Sequence, residues 1–456
     1  MDPILKHILT HGVFYMTAAS NKSNWQADYA SKLMTAQEAA ARIKSGDRIA
    51  LSGGTCIPPG FCTALSERAG DLKNVTLALG YALGFYGFMA PENKDSFTIE
   101  TMFVGPVERM CMEFGVSAYV PQHLGDVGNF CANRKFNVVT SVATPPDENG
   151  YMTRSLFGSF ISKQTLANAD MVIIEVNNEF PKMNSEDFKI HVSEVDCIIE
   201  HNAPVFEVPE IQITETEEKI AGYIADMIPD GSTIQLGFGG LGNAIGHLLK
   251  DKKDLGMYAE VVTPSAMELM KAGVLNGSKK NFKPGKVIGA FAVGTKPFYD
   301  FIDNNPDLEF YDIGTINNPL EIAKNDNLIS INNALMFDLT GQAASESIGT
   351  KQYSGTGGQV NFVQGAKMSK GGKSILALNA TYTAKDGSLR SKILPVFPEG
   401  TVVTTSRNDV QYVVTEFGVA NLIFKSIPDR VKALIAIAHP QFRDELTLAA
   451  KKYGWL

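Results

Sequence analysis

The sequence predicts an α/β protein made of two similar open α/β domains, each with a mostly parallel sheet. Three observations lead to this fold class. The chain has 456 residues, which is too long for one ordinary hydrophobic core. Runs of β-prone residues alternate with helical patterns along both halves, as they do in βαβ units. The opening pattern of the first half recurs in the second half, which indicates a tandem duplication.

The repeated unit is a helix, a turn, a short strand, a glycine loop and a second helix. At a constant offset of about 185 residues, Gly46 aligns with Gly231, and the strand 48–51 aligns with the strand 233–236. Coincidence stays open at this point, because βαβ units share the same order of elements.

The other elements follow from β-prone runs and amphipathic patterns in chain order. Further strands are predicted at 75–79, 98–104, 118–121, 138–143, 171–176, 287–293, 308–313, 328–331, 374–378, 401–405 and 411–415. In the first half, helices are predicted at 36–44, with Thr35 as the N-cap, and from residue 61 onward. In the second half, helices are predicted at 217–227, directly after Asn243 as a further N-cap, and at 427–438.

The domain boundary is expected near residue 210. A Pro-rich segment at 203–209, followed by the polar stretch 214–218, is the best candidate for a linker. We therefore expect one domain at 24–210 and a second at 211–456. Residues 1–23 lack the clean apolar core of a signal peptide, so we expect them to be an N-terminal extension, with disorder predicted for it.

The composition excludes several classes of protein. The net charge of −8 argues against a nucleic-acid partner. No apolar run reaches the roughly 18 residues of a membrane helix. The five cysteines form no Cys-x-x-Cys pair, and an odd number fits no disulfide framework, so a reducing, cytoplasmic location is expected.

The candidate site is the glycine loop GFGGLG at 237–242, which lies between a predicted strand and a predicted helix. Unpaired backbone N–H groups converge at such a loop and can bind an anion or an acyl oxygen. Glu260 begins the next β-prone run, so we expect its carboxylate near this loop. A second glycine-rich stretch, YSGTGGQ at 353–359, supplies small residues that permit close approach to a ligand.

A carboxylate is a weak nucleophile unless the substrate and oxyanion donors are held against it. Thioesters are activated acyl donors and are therefore the natural target for Glu260. The backbone amides of Gly239 and Gly240 on one side, and of Gly357 and Gly358 on the other, are the candidate donors to the carbonyl oxygen.

A dinucleotide-binding oxidoreductase is the main rival from pattern alone, because GFGGLG matches G-x-G-x-x-G with an acid downstream. Two features oppose it. The ribose-binding acid should end the second strand, whereas Glu260 is predicted to begin one, and the matching loop of the first half lacks the motif. No Gly-x-Ser-x-Gly or P-loop motif occurs, and the seven dispersed histidines predict no metal site.

Six strings resemble the acetyl-CoA hydrolase / 4-hydroxybutyrate CoA-transferase family, which is of the class I CoA-transferase type. They are SINNAL (330–335), DLTGQ (338–342), SESIG (345–349), YSGTGGQVNF (353–362), TTSRNDVQYVVTEFG (404–418) and AHPQFR (438–443). The resemblance implies two similar domains and a ping-pong exchange of coenzyme A between an acyl-CoA and a carboxylic acid.

The family's roles fall on particular residues of this sequence. Glu260 matches the glutamate that forms a mixed anhydride and then a glutamyl-CoA thioester. The matching CoA loop is Gly237, Phe238, Gly239, Gly240 and Leu241. The oxyanion glycine matches Gly357 or Gly358, Asn333 and Leu335 match a CoA-lining strand, and Asn317 and Glu416 match groups that line the site. The resemblance implies coenzyme A as a substrate, no permanently bound cofactor, no metal, and a homodimer or homotetramer.

Two departures from the family pattern concern the surroundings of the acyl group. A proline usually follows the glycine loop, where this chain has Gly242, and Met-Phe-Ser-Asp-Gly usually follows the nucleophile, where it reads VVTPS (261–265). We expect an acyl-CoA:carboxylate CoA-transferase that accepts an acyl-CoA such as acetyl-CoA and an acid of the butyrate, hydroxybutyrate or small dicarboxylate type. An acyl-CoA hydrolase on the same scaffold is the closest alternative, and a non-enzymatic CoA sensor is the third.

Overall fold

The structure is a computed structural model that describes residues 24–456. The predicted N-terminal extension, residues 1–23, lies outside this range. The fold consists of two α/β units that follow one another along the chain, each with a mostly parallel sheet, as predicted. Within the described range, no helix combines the length and the apolar character needed to cross a membrane.

The first sheet has seven strands, all parallel. They are β1 (Arg48–Leu51), β2 (Val75–Gly80), β3 (Phe97–Phe103), β4 (Ser117–Tyr119), β5 (Val138–Ala143), β6 (Met171–Val176) and β7 (Cys197–Glu200). In space they run β4-β3-β2-β1-β5-β6-β7. The helices of this half are α1 (Trp25–Lys32), α2 (Ala36–Ala41), α3 (Pro59–Ser66), α4 (Pro106–Glu113), α5 (Val127–Asn133) and α6 (Lys163–Ala167).

The second sheet has eight strands. They are β8 (Thr233–Leu236), β9 (Gly256–Tyr258), β10 (Val287–Gly289), β11 (Leu308–Phe310), β12 (Leu328–Asn333), β13 (Lys373–Ala377), β14 (Tyr412–Thr415) and β15 (Gly418–Asn421). The spatial order is β11-β10-β9-β8-β12-β13-β14-β15, and only the last pair is antiparallel.

The helices of the second half are α7 (Glu215–Asp226), α8 (Gly240–Leu248), α9 (Pro264–Lys271), α10 (Lys296–Ile302), α11 (Ile313–Ile316), α12 (Pro319–Ile322), α13 (Gln359–Met368), α14 (Ile427–Ile437) and α15 (Arg443–Lys452). Short strands outside the main sheets pair Tyr151–Thr153 with Lys189–His191, Val261–Val262 with Phe291–Ala292, Met336–Asp338 with Ala343–Ala344 and Ile393–Leu394, Ser347–Ile348 with Lys351–Gln352, and Thr381–Thr383 with Leu389–Ser391.

The duplication predicted from the sequence is visible in the topology. The first seven strands of the second sheet repeat the spatial order of the first sheet, with β8 in the place of β1. The aligned turn residues Gly46 and Gly231 have φ angles of 86° and 75°, a conformation that glycine adopts without steric cost. The predicted boundary near residue 210 lies in a stretch without helix or strand, between β7 and α7, and stays a prediction.

Several predicted elements need correction. The run 401–405 forms no strand: Thr405 makes a single bridge to Ala343, and Val402 and Val403 are exposed. The β-branched residues there have a high strand propensity, but the neighbouring strand Ala343–Ala344 is too short to extend the pairing. The helix predicted at 36–44 ends at Ala41, although Thr35 is its N-cap as predicted.

The two halves are joined by packing as well as by the chain. Ala292 N donates to Leu156 O at 3.0 Å and Val208 N to Gly294 O at 2.8 Å. The ring of Phe291 from the second half stacks on Phe157 from the first, with ring centroids 4.7 Å apart. These contacts border a cavity in which residues of both halves take part.

Candidate active site

A cavity of about 270 Å³ lies between the two halves, at the carboxyl ends of their parallel strands. Ligands of open α/β proteins bind at this end of the sheet. Its lining residues are Tyr81, Phe103, Leu124, Phe157, Phe160, Gln235, Leu236, Gly237, Phe238, Glu260, Val261, Phe291, Val293, Asn332, Gly358 and Phe362. Most are apolar, so a carboxylate in this cavity stands in an apolar setting.

Glu260 occupies the irregular backbone between β9 and the short strand Val261–Val262. Its carbonyl oxygen accepts hydrogen bonds from Ala290 N at 3.0 Å and Phe291 N at 3.1 Å, which fix the backbone at this point. The side chain enters the cavity, where Nδ2 of Asn317 donates to Oε2 at 2.6 Å. Burial raises the pKa of Glu260 to about 7, and the Asn317 hydrogen bond opposes this shift.

Asn317 is fully buried and ends the short helix α11. A Cβ built at Gly125 would come within 3.2 Å of Asn317 Cβ, so the absence of a side chain at 125 leaves room for the asparagine. Among residues 24–456, the Oδ1 atom of Asn317 finds no hydrogen-bond partner. Its amide N–H is therefore directed at the carboxylate, while the amide oxygen is left buried and unpaired.

Gly358 lies against the same carboxylate. A Cβ built at this position would overlap Oε2 of Glu260 and Nδ2 of Asn317. Gly358 precedes α13, where the first N–H groups of the helix have no intrahelical partner. The neighbouring Gly357 has φ of 58°, in the region that favours glycine. The site thus combines a carboxylate, an amide donor and a helix N-terminus in direct contact.

The loop that carries Gly358 is held by the first half of the chain. Leu124 N donates to Gly357 O at 3.0 Å, and Thr356 N donates to the Tyr119 hydroxyl at 3.3 Å. Arg109 Nη1 donates to Tyr353 O at 2.6 Å, and its guanidinium lies over the Tyr353 ring. The position of this loop relative to Glu260 therefore depends on how the two halves are docked.

The predicted CoA loop needs correction in its local structure. Helix α8 begins at Gly240, with Gly239 as its N-cap at φ of 127°, so the stretch is not wholly irregular. Asn243 lies inside the helix and is not its N-cap. A Cβ at Gly242 would overlap the carbonyl oxygen of Gly237, which accounts for glycine at this position.

The structure brings most, but not all, of the predicted site residues together. Gly237, Phe238 and Gly358 line the cavity with Glu260, while Leu241 and Asn333 line a small adjoining cleft. Gly239, Gly240 and Gly357 are next to these residues in the chain, and Asn317 contacts Glu260 directly.

Leu335 and Glu416 lie elsewhere. Leu335 lines a separate groove of about 520 Å³. The Glu416 carboxylate accepts a hydrogen bond from Ala380 N at 2.8 Å and does not line the cavity. Their predicted roles, as a CoA contact and a catalytic group, stay predictions without support from contacts to Glu260.

Sequence reasoning missed much of the cavity wall. Phe103 is the last residue of β3, so the rule that ligands bind at carboxyl strand ends could have found it. Asn332, the next-to-last residue of β12, lies in the strand that the resemblance already assigns to coenzyme A. Phe157 precedes and Phe160 ends a single 3-10 turn, Gly158–Phe160, and no sequence signal marks them.

One argument against a dinucleotide enzyme loses its force, although Glu260 directly precedes the short strand Val261–Val262 as predicted. Glu260 lies two residues after the end of β9, which is the place where a ribose-binding acid would be expected. The second argument holds, because the two glycine loops differ in sequence. In residues 24–456, no group of three His, Cys, Asp or Glu side chains is placed to hold a metal ion.

Comparison with known proteins shows the family to which the chain belongs. Residues 17–209 match the acetyl-CoA hydrolase/transferase N-terminal domain, and residues 294–450 match the C-terminal domain of the same family. The chain is 39% identical to the 4-hydroxybutyrate coenzyme A transferase of Clostridium kluyveri over 430 residues, covering 94% of this chain and 99% of that protein.

Two further proteins agree with this placement. The succinyl-CoA:cyclohexane-1-carboxylate CoA transferase of Geobacter metallireducens is 38% identical over 432 residues, covering 94% of this chain and 98% of that protein. The crystal structure of RipA from Yersinia pestis superposes with a TM-score of 0.89 at 34% identity, covering 95% of this chain and all of that one.

The fold, the cavity and these relatives define an enzyme of the CoA-transferase class. More specifically, the chain belongs to the acetyl-CoA hydrolase/transferase family.

Proposed function

We propose that this enzyme is an acyl-CoA:carboxylate CoA-transferase that works through a covalent glutamyl-CoA thioester on Glu260. It moves coenzyme A from an acyl-CoA such as acetyl-CoA to a short-chain carboxylic acid. The observation that carries the proposal is the contact of the Glu260 carboxylate with Asn317 Nδ2 at 2.6 Å inside a cavity lined by both halves.

The reaction proceeds in two halves. A carboxylate oxygen of Glu260 attacks the carbonyl carbon of the bound acyl-CoA, and the C–S bond breaks to release the CoA thiolate and an acyl-glutamyl anhydride. The thiolate then attacks Cδ of Glu260, which releases the first carboxylic acid as its anion and leaves the glutamyl-CoA thioester. The acceptor carboxylate reverses these steps and leaves as the new acyl-CoA, which restores Glu260.

The surroundings of Glu260 support this role. An apolar cavity removes water from the carboxylate and strengthens each electrostatic interaction inside it. The Asn317 amide holds the attacking side chain in one orientation, as a near-attack geometry requires. Backbone N–H groups at the start of α13, beside Gly358, are the donors that we assign to the developing oxyanion.

The assignments of the CoA loop, the oligomeric state and the location are further proposals. Gly237, Phe238, Gly239, Gly240 and Leu241 are assigned to coenzyme A because they surround the amino end of α8 beside the cavity. The resemblance implies a homo-oligomer, and the odd number of cysteines without a Cys-x-x-Cys pair favours a reducing, cytoplasmic location. The two curated relatives act on different acids, so membership of the family leaves the acid open.

Initial-rate kinetics test the proposal against its closest alternative, an acyl-CoA hydrolase. The 28% identity to the acetyl-CoA hydrolase of Yarrowia lipolytica over 240 residues makes this comparison necessary. A transferase gives parallel double-reciprocal lines when acyl-CoA and acid are varied together, and little CoA release without acid. Full activity in the absence of any acid would contradict the proposal and favour water as the acceptor. No turnover with any acyl-CoA would favour a CoA sensor.

The rate of the first half-reaction is expected to fall as the pH falls below about 7. The pKa of Glu260 is raised to about 7 by burial, so at lower pH the nucleophile is protonated. We expect kcat/KM for acyl-CoA to fall about tenfold for each pH unit below this pKa and to level off above it. A profile that stays flat down to pH 5.5 would show that Glu260 titrates like an ordinary glutamate.

The Asn317→Ala variant is expected to move this acid limb to higher pH. The Asn317 hydrogen bond lowers the pKa of Glu260 against the effect of burial, so its loss raises the pKa further. We expect a loss in kcat on the order of tenfold or more at pH 7, with partial recovery at pH 8.5. The pH profile of kcat measures the loss, and the pH profile of kcat/KM measures the shift of the acid limb.

Asn325→Ala is the matched control for this variant. Asn325 is also fully buried, and its Oδ1 also lacks a partner, but it does not contact Glu260. Its substitution should leave the pH limb unchanged. Equal shifts in both variants would mean that general destabilisation, and not the hydrogen bond, sets the profile.

A further inference from the structure

Three phenylalanines form one wall of the cavity. The ring centroids of Phe157 and Phe291 are 4.7 Å apart, those of Phe157 and Phe160 are 5.6 Å apart, and those of Phe160 and Phe291 are 5.7 Å apart. We call these three residues the aromatic wall. Such contacts fix ring positions by packing, so the wall is a preformed apolar surface.

The glycine loop of the first half, residues 52–60, leaves room for this wall. A Cβ at Gly54 would overlap the Phe157 ring, and a Cβ at Gly53 would lie 3.2 Å from the Phe160 ring. This loop corresponds, in the duplicated fold, to the predicted CoA loop of the second half. It therefore accommodates two rings at the position where its counterpart adjoins the predicted CoA site.

No cation lines the cavity. Among the lining residues, which all belong to the described chain, Glu260 is the only one with a carboxylate and none is Lys, Arg or His. The two amide side chains are already engaged: Gln235 Oε1 accepts from Ser330 Oγ at 2.7 Å and from Asn332 Nδ2 at 3.2 Å. A second carboxylate on a ligand would therefore have no cationic partner among the residues that line the cavity.

The arginine nearest to the aromatic wall in sequence is also unavailable. Arg154 is buried and donates through Nη1 to Gly158 O at 2.8 Å and through Nη2 to Asp187 O at 2.6 Å. Its Nη1 atom also donates to Ile161 O, so Arg154 binds two backbone carbonyls of the segment that carries Phe157 and Phe160. Its guanidinium thus supports the wall and does not line the cavity.

We infer that the acid taken by this site is a monocarboxylate with an uncharged apolar chain, and that the site rejects dicarboxylates. The inference rests on the proposed function. One carboxylate of the acid must meet Glu260, so a second carboxylate would be buried against the aromatic wall without a counter-charge, which is strongly unfavourable. A cavity of about 270 Å³ gives room for roughly nine non-hydrogen atoms at the volume of liquid water, about 30 Å³ each.

The test uses the enzyme first converted to its CoA adduct with acetyl-CoA and then freed from excess substrate. Pentanoate and succinate, acids of similar size, are supplied separately, and the release of acyl-CoA is followed. We expect pentanoate to resolve the adduct with a kcat/KM at least about 100-fold larger than that of succinate. Comparable values would overturn the inference while leaving the proposed function intact. Failure to form any adduct would overturn both.

The aromatic wall is tested with Phe291→Leu, which removes a half-buried ring. We expect kcat/KM for pentanoate to fall about tenfold or more. Phe301→Leu is the control, because Phe301 is also a partly buried ring but lies outside the cavity. A pentanoate rate that falls equally in both variants, or in neither, would contradict the assignment of the wall to the acid.

Discussion

The Glu260→Gln variant is expected to lose turnover by a factor on the order of 10⁴ or more. A carboxamide cannot form the mixed anhydride or the glutamyl-CoA thioester, so both half-reactions lose their covalent intermediate. The shape of the side chain is retained, and the contact to Asn317 can persist through the amide oxygen. Steady-state assays with acyl-CoA and a free acid measure the loss.

Folding is not expected to limit this variant. The raised pKa of Glu260 means that the ionised form is disfavoured in the folded state. Its contribution to stability is therefore fully present below the unfolded pKa of about 4.3 and is lost as the pH rises through about 7. At pH 8 the neutral glutamine should give a melting temperature at least as high as that of the parent enzyme. A variant that keeps its turnover would remove Glu260 from the mechanism.

The Gly358→Ala variant is expected to lose activity by about 100-fold or more, because displacement of a reacting group by about 1 Å costs this much. Gly358 has φ of −92°, so alanine is compatible with the backbone. The added Cβ would instead overlap Glu260 Oε2 and Asn317 Nδ2 and displace the carboxylate. Most of the loss should appear in kcat for both half-reactions.

Gly222→Ala is the matched control. Gly222 lies in helix α7, and a Cβ there would have no heavy atom within 4 Å. We expect unchanged activity and slightly higher stability, by about 0.5–1 kcal/mol, since alanine is the better helix former. Full activity of Gly358→Ala would contradict the close approach of the loop to Glu260.

The duplicated framework could be predicted because its signals are local. The strand 171–176 is a continuous apolar run, typical of a buried parallel strand, and the structure gives the same bounds. The turn glycines Gly46 and Gly231 both have positive φ, so their recurrence reflected a real conformational requirement. The prediction of a strand at 401–405 was wrong because strand propensity does not decide whether a long enough neighbouring strand is available.

The candidate site could be predicted only in part. The glycine loop before α8 and the acid after β9 are marked by motif and order along the chain. The glycine-rich stretch 353–359 marks Gly358 as a candidate donor, whereas Asn317 follows only from the family resemblance. Their contact with Glu260 depends on segments 98 and 57 residues away in sequence, so no local signal marks it. The aromatic wall depends on tertiary packing between Phe157, Phe160 and Phe291, which no local pattern encodes.

Intact-mass measurement of the enzyme after incubation with acetyl-CoA, in the absence of any acceptor acid, tests the central claim most directly. We predict a mass increase equal to coenzyme A minus one water, located by peptide mapping to Glu260 and absent from the Glu260→Gln variant. An acylated or unmodified enzyme that still transfers CoA, or an adduct on another residue, would contradict the account.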